Sequence, residues 1–454
     1  MEVLARVSLR ATTEEAKKLF LLAMEIGQAP HHFWLYDALK HLIQFSLESI
    51  PKKEHCYLLL NALKFPLSSE ANHLRVGDWR WPNPTIHFPG DREAGTDVDQ
   101  RIEQLIQKVS PDSTDRKDAL IRLFPLVHKG FLRSSEEKKL ADQLWGTIPN
   151  YDSLPIIKDL YLSTYLILPS PDKERSDAII KRKLFEANEA DLLNIDLLNG
   201  LTLAAINNEV YPTEEQAALY FKLLTAWQPE KNRITHQDRN LPLVIGNALS
   251  YSVIPALSQN ALNKENFTRL NKFIKSANAP LALIGIPYFR NSIDSNKIKE
   301  LIRKNFITSV KHPEVQCYAA EAVLSWRELD DASEVHDLIA LIIARLGVSQ
   351  MRVLPKLISV VERLLQKNYL NNEESKNLTS VVPLLFNTAN YGEIHADHES
   401  AADISLVRAN CVRLANELIN KLEDSYPELE RIIKESKSDP LPEVRYALEN
   451  IEVK

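Results

Sequence analysis

Glycine is scarce, at 11 residues in a chain of 454. Turn-rich β-sandwiches and glycine-loop nucleotide folds draw on more, because their turns need backbone that only glycine adopts freely. Cysteine is scarcer still. Cys56, Cys317 and Cys411 are odd in number and far apart. Neither a disulfide framework nor a zinc spacing emerges, a pattern that fits a reducing, cytoplasmic compartment. No run of eighteen apolar residues occurs, so no transmembrane helix and no membrane partner are expected. The opening MEVLARVSLR has no signal-peptide layout. Glycine-rich phosphate loops and Gly-x-Ser-x-Gly elbows are missing as well. The expectation is a chain that is not an enzyme, with no catalytic residue, no metal and no cofactor. Catalytic groups converging from distant segments are the alternative.

Positive charge is not in excess either. The formal net charge is −6, which gives no general drive toward nucleic acid or anionic lipid. The basic runs are Lys181 to Lys183 and the segment NKIKELIRKNF, with Lys297, Arg303 and Lys304 around Glu300. Both read as solvated helix faces. A nucleic-acid-binding helical protein is the alternative reading.

What the chain does have is helical periodicity. Apolar residues recur at three- and four-residue steps almost throughout. TEEAKKLFLLAMEIG places Ala16, Leu19, Phe20, Ala23 and Ile26 on one face, with Thr13 as its expected N-cap. A second helix ends before Pro51 and a third before Pro66. The pattern predicts further helices at 98–109, 113–129, 135–146, 154–167, 174–186, 190–207, 213–227, 240–258, 264–275, 296–306, 313–326, 331–346, 350–369, 373–388, 400–422, 426–437 and 441–450. Links such as IPNYDSLP and SVKHPEV are short, as antiparallel helical hairpins require. One segment breaks the rhythm. His73 to Asp97 holds Gly77, Gly90, Gly95, three prolines, Trp79 and Trp81. A loop of this length is either packed by its own aromatic residues or used for binding. Trp79 and Trp81, flanked by Arg75, Arg80 and Arg92, are the expected partner-binding residues, since Trp and Arg dominate binding hot spots.

Three stretches share a texture. DPLPEVRYALEN closes the chain, KHPEVQCYAAEAVLSW begins at Lys311, and DISLVRANCVRLANEL begins at Asp403. From Val315 to Val407 is 92 residues, two steps of 46, and Val361 falls midway. That period lies in the range of HEAT-type repeats, about 40–47 residues. These stretches resemble HEAT repeats, in which an acidic residue precedes a Val-Arg near the start of the second helix. Gln316 departs from the pattern, and so does LPKLISVVERLLQKN, which lacks Val-Arg. The resemblance implies an all-α fold, an α-solenoid of stacked helical hairpins, right-handed and curved, with an extended binding face. It assigns repeat stacking to Asp403, Val407, Arg408, Asp439, Val444 and Arg445. Proline fits the first helical turn, where its missing N–H costs no bond. Asp439 can cap that turn, and Arg445 can bridge to an acidic residue of the adjacent unit.

The segmentation that follows is 1–72 as N-terminal hairpins, 73–97 as the long loop, 98–300 as irregular helical repeats and 301–454 as HEAT-like repeats. A second resemblance concerns the opening. EVLARVSLRATTEEAKKLFLLAMEI with LYDALKHLIQFSLESIP is similar to the helical C-terminal regions of bacterial sirtuin-like antiphage defence proteins. It implies a sensor or scaffold serving an attached effector domain, in a chain either complete or cut from a longer one. Two histidine clusters remain. GEIHADHES offers Glu393, His395, Asp397, His398 and Glu399, of types that bind zinc or manganese, and a metal-dependent hydrolase using His395, Asp397 and His398 is the last alternative. In a linker these side chains diverge, so a solvated turn is expected. His31, His32, Asp37 and His41 lie on an early helix without a nucleophile and are read as helix residues.

Overall fold

The computed structural model describes residues 1–27, 33–62, 92, 97–128, 130–147, 168, 174, 193, 198, 201–202, 204–206, 209–229, 236–307, 314–329, 335–390, 401–422 and 424–448. These residues are all-α: helices and turns, with no strand among them. No helix among the described residues is long and apolar enough to cross a membrane. The chain divides into two compact units. One takes residues 1–258 with 276–279, the other 259–275 with 280–454.

In the first unit, α1 (Glu2–Ser8) packs on α3 (Phe33–Glu48), and α2 (Thr13–Gly27) packs on α3 and on α4 (His55–Ala62). Next come α5 (Asp97–Gln107), α6 (Arg116–His128) and α7 (Ser134–Thr147), with α5 against both of its successors. The cap of α2 is Thr12 and not Thr13. Thr12 N–H donates to Glu15 Oε2 at 2.9 Å, and Glu15 N–H donates to the Thr12 hydroxyl at 3.4 Å. This reciprocal box satisfies two N–H groups that the helix cannot. The Thr13 hydroxyl instead donates to Ser49 O at 2.9 Å and ties α2 to the end of α3. Gly130, at φ 71°, ends α6 in the left-handed conformation that glycine adopts without strain. Farther along, α8 (Glu214–Ala226) packs on a π-helical turn, Leu249–Val253, that continues α9 (His236–Ala248).

The second unit alternates between two rows. Its helices are α10 (Lys264–Ser276), a 3₁₀ helix (Pro280–Asn291), α11 (Ser295–Ile307), α12 (Val315–Leu329), α13 (His336–Leu346), α14 (Leu354–Gln366), α15 (Asn372–Thr388), α16 (Ala401–Lys421), α17 (Pro427–Ser436) and α18 (Pro442–Arg445). The 3₁₀ helix, α12, α14, α16 and α18 pack in succession, each on the next. Alongside them α13 packs on α15 and α15 on α17. Rungs join the rows, since α11 packs on α12, α13 on α14 and α15 on α16. Helices of the first row are covered on most of their circumference. Ala319, Ala320, Ala322, Val323 and Trp326 of α12 are buried, as are Val360, Val361, Leu364 and Leu365 of α14. Small residues on α12 let its neighbours approach closely, and the wide apolar stripe of α14 needs cover on both flanks.

Helix ends in this unit are made by side chains. Asn371 and Glu374 form a reciprocal capping box at α15, with both bonds at 2.8 Å. Asn368, at φ 58°, closes α14 with Tyr369 N–H on Leu364 O. Buried Glu374 also accepts from His336 Nδ1 at 2.8 Å, which links α13 to α15. Replacing Asn371 with alanine frees the Glu374 N–H. The expected loss is about 1 kcal/mol, read as a lower denaturant midpoint. A midpoint unchanged from wild type contradicts this account of the cap.

Candidate interaction face

Three helices of the first row, α12, α14 and α16, keep one stripe toward solvent. On α12 and the residue before it, Glu314, Tyr318, Glu321, Ser325 and Glu328 are exposed or half-buried. On α14 the stripe is Pro355, Lys356, Ser359, Arg363 and Gln366. On α16 it is Arg413, Asn416, Glu417, Asn420 and Lys421. Because the three helices lie side by side, the stripes form one polar face.

Cross-helix pairs lace this face. Arg363 pairs with Glu321 and Lys367 with Glu328, partners 42 and 39 residues apart in sequence. Arg352, just ahead of α14, lies 3.8 Å from Glu314. Glu314, Glu321 and Glu328 recur at seven-residue steps, so they share a face and meet successive cations across the seam. Between α14 and α16, Arg413 Nε lies 3.5 Å from Glu362 Oε1, and the Gln366 amide donates to Glu417 at 3.3 Å. Asn410 of α16 donates to Pro355 O at 2.7 Å. Glu362 is buried, and burial pushes its carboxyl above the ordinary range, helped by nearby Glu417 and opposed by Arg413 and Arg363. At the end of the stripe, burial lowers the pKa of Lys421.

A second device sits deeper. Arg408 of α16 donates from Nε to Asp439 Oδ2 at 2.8 Å, and its Nη2 lies 2.7 Å from the same oxygen. Its Nη1 donates to Phe386 O at 2.9 Å and to Ala389 O at 3.2 Å, at the C-terminal end of α15. The guanidinium lies over the Phe386 ring, 3.8 Å from its centroid. A cation suits this position, where unpaired carbonyls and the helix dipole concentrate negative charge. The Asp439 side chain is fully buried and also accepts from Leu441 N–H at 3.0 Å, ahead of α18. Arg445 donates to Asp439 O at 2.6 Å, so within this cluster Arg408 holds the carboxylate and Arg445 the carbonyl. Val407 and Val444 are buried. Asp403 lies on α16, and its side chain falls outside the described residues. Where Arg is expected in α12, Gln316 accepts from the Ser349 hydroxyl at 3.0 Å, 33 residues on; Arg408 and Asp439 are 31 apart. Val315 opens α12, whereas Val361 and Val407 lie well inside α14 and α16, so the even step of 46 does not track one helical position.

Of the expected partner-binding residues, Trp79, Trp81, Arg75 and Arg80 fall outside the described residues. Arg92 is described, and its guanidinium is turned inward. Nε donates to Asp99 at 2.7 Å, Nη1 to Glu136 at 2.5 Å and Phe131 O at 3.2 Å, and Nη2 to Glu136 at 2.7 Å with Asp99 at 2.6 Å. Those contacts employ all five N–H groups of an arginine. Burial works against the Glu136 carboxylate, but bonds from Arg92 and the Arg133 N–H outweigh it and hold its pKa below the ordinary value. Arg92 is therefore a clamp between α5 and α7. It also walls a cavity of about 190 Å³ with Cys56, Tyr57, Asp97 and Val98. Burial pushes the Cys56 thiol up to about 11, and the Cys317 and Cys411 thiols to about 12. All three are free and buried.

The remaining candidates do not converge. Glu393, His395, Asp397, His398 and Glu399 fall outside the described residues, as do His31, His32 and Lys181 to Lys183. Among the described residues no three His, Cys, Asp or Glu side chains could hold a metal ion. His41 is buried and tilts against Phe45, with ring centroids 5.6 Å apart. Arg303 pairs with Asp337 at 2.5 Å and lies 3.6 Å from Glu300. No family model matches the chain, and neither does any curated protein or solved structure.

Two outcomes are expected. Asp439→Ala leaves the Arg408 charge buried without its carboxylate and costs about 3 kcal/mol, with faster hydrogen exchange at 441–447. Wild-type exchange there contradicts the assignment. Glu362 has a raised folded pKa, so its contribution is full below the ordinary glutamate value and is lost as pH rises. Glu362→Gln therefore raises the denaturation midpoint at pH 7 and leaves it unchanged near pH 4. A loss at pH 7 reverses the sign of this account.

Proposed function

We propose that the chain is a HEAT-like α-solenoid that acts as a non-catalytic protein-interaction scaffold or sensor. The observation that supports this reading is the Arg408–Asp439 bridge. It joins one first-row helix to the turn opening the next, at nearly the separation of the Gln316–Ser349 contact. A polar bond repeated between successive helix pairs is what a stacked array uses to set the order and spacing of its units. The face of α12, α14 and α16 is the surface such an array offers to a partner. Most of its charges are paired sideways, which leaves a broad, nearly neutral surface and not a reactive cleft. The similarity of residues 2–26 and 35–51 to the helical regions of bacterial antiphage proteins gives this scaffold a context. There it is the part that receives a signal and passes it to an attached effector domain.

The test is affinity purification from native cells, comparing wild type with a Lys356→Glu, Ser359→Arg, Asn420→Arg variant. These three side chains sit on the face, and none makes a cross-helix pair described above. The expected result is one protein held in stoichiometric amount by wild type and lost from a folded variant. The purified chain should show neither hydrolase nor nuclease activity. Retention of no partner, or equal retention by the variant, overturns the proposal.

A further inference from the structure

The second unit opens with a local reversal of charge. Residues 264–304 hold nine Lys and Arg against three Asp and Glu. The whole chain has 55 against 61, so the remaining residues carry a clear negative excess. The structure separates the cations that are committed from those that are not. Arg269 is bound to Glu265 at 2.9 Å and Arg303 to Asp337 at 2.5 Å. Lys264, Lys272 and Lys275 on α10, with Lys297 and Lys299 on α11, have no ion pair among the described residues. Elsewhere in this unit Arg363 of α14 and Lys367 just past it are both taken by glutamates of α12.

The two helices share a support. Phe267 of α10 meets Phe289 of the 3₁₀ helix edge to face, with centroids 5.8 Å apart, and α11 packs on that same helix. The solvent side of α10 is Lys264, Glu265, Thr268, Arg269, Lys272 and Lys275, all exposed and none apolar. This is a lysine-rich surface, on which three lysines and Arg269 stand against Glu265. It is the usual material for phosphate contacts, which Lys and Thr side chains make without reading bases. Single strands additionally need exposed aromatic platforms. The aromatic rings of α10 are turned inward, with Phe273 buried and Phe267 held against Phe289.

We infer that the exposed face of α10 binds the sugar-phosphate backbone of duplex nucleic acid, without sequence preference. Its unpaired lysines, Lys264, Lys272 and Lys275, are the contacts. At 1.5 Å per residue, α10 is about 20 Å long and covers about six base pairs. This surface is separate from the α12–α14–α16 face, and its failure would leave the scaffold reading standing.

Fluorescence anisotropy with a DNA duplex of about 20 base pairs and arbitrary sequence, at about 50 to 200 mM salt, tests it. Affinity is expected to fall with salt by roughly 0.9 of a log unit per log unit for each lysine engaged. The Lys264→Ala, Lys272→Ala, Lys275→Ala variant should weaken binding at least about tenfold at the lowest salt and reduce the slope by about 3. A control removing the exposed Lys18, Lys138 and Lys434 should bind as wild type. Circular dichroism of both variants shows whether the helices remain, and single Lys→Gln changes replace the triple variant if they do not. The inference is overturned by no duplex binding at the lowest salt, or by equal loss in the control. Tighter binding of single strands, polyglutamate or phosphatidylserine vesicles overturns it too.

Discussion

A guanidinium buried at the end of a helix organises the second unit. Arg408 touches α15 through two carbonyls and a ring, and Asp439 ahead of α18 through a carboxylate. Hydrophobic burial holds adjoining helices together but tolerates sliding and rotation, because it has little direction. A charge with fixed hydrogen-bond angles does not tolerate them. The apolar contacts of Val407 and Val444 therefore supply most of the attraction, and Arg408 supplies the register.

The same division of labour recurs in the first unit, where Arg92 joins Asp99 of α5 to Glu136 of α7. An arginine set among binding-type residues in the sequence is, in three dimensions, a structural clamp. The reason is geometric. Sequence gives the residue type and its neighbours along the chain. Whether two carboxylates from other helices close around it depends on packing between distant segments.

Much of the helical pattern was legible because apolar residues at three- and four-residue steps leave little ambiguity. The helices at 97–107, 264–276, 372–388 and 401–421 lie within a residue or two of their expected spans. Less legible was the 3₁₀ helix of 280–291. Its sequence, PLALIGIPYFRN, is almost wholly apolar, contains Gly285 and Pro287, and shows no 3.6-residue period. It is buried almost all round, so no polar stripe marks its turns. The Arg408–Asp439 pair was within reach, since both residues belong to the repeat texture, yet the texture pointed to Arg445 as the bridging cation. Glu314, Glu321 and Glu328, at steps of seven, were a visible signal for the row of cross-helix pairs. Their partners could not be named until α14 was placed beside α12.

The buried thiols carry a practical consequence. One lies in the first unit and two in the second. Each has a raised pKa and so little thiolate at neutral pH, and each is shut away from reagent while its surroundings stay packed. Alkylation can then proceed only through opening, and the added mass is a tally of which half has opened. Intact-mass spectra taken over time would show singly and doubly modified chains in an order set by the two halves. The molecule thus contains its own clock for the sequence in which it comes apart.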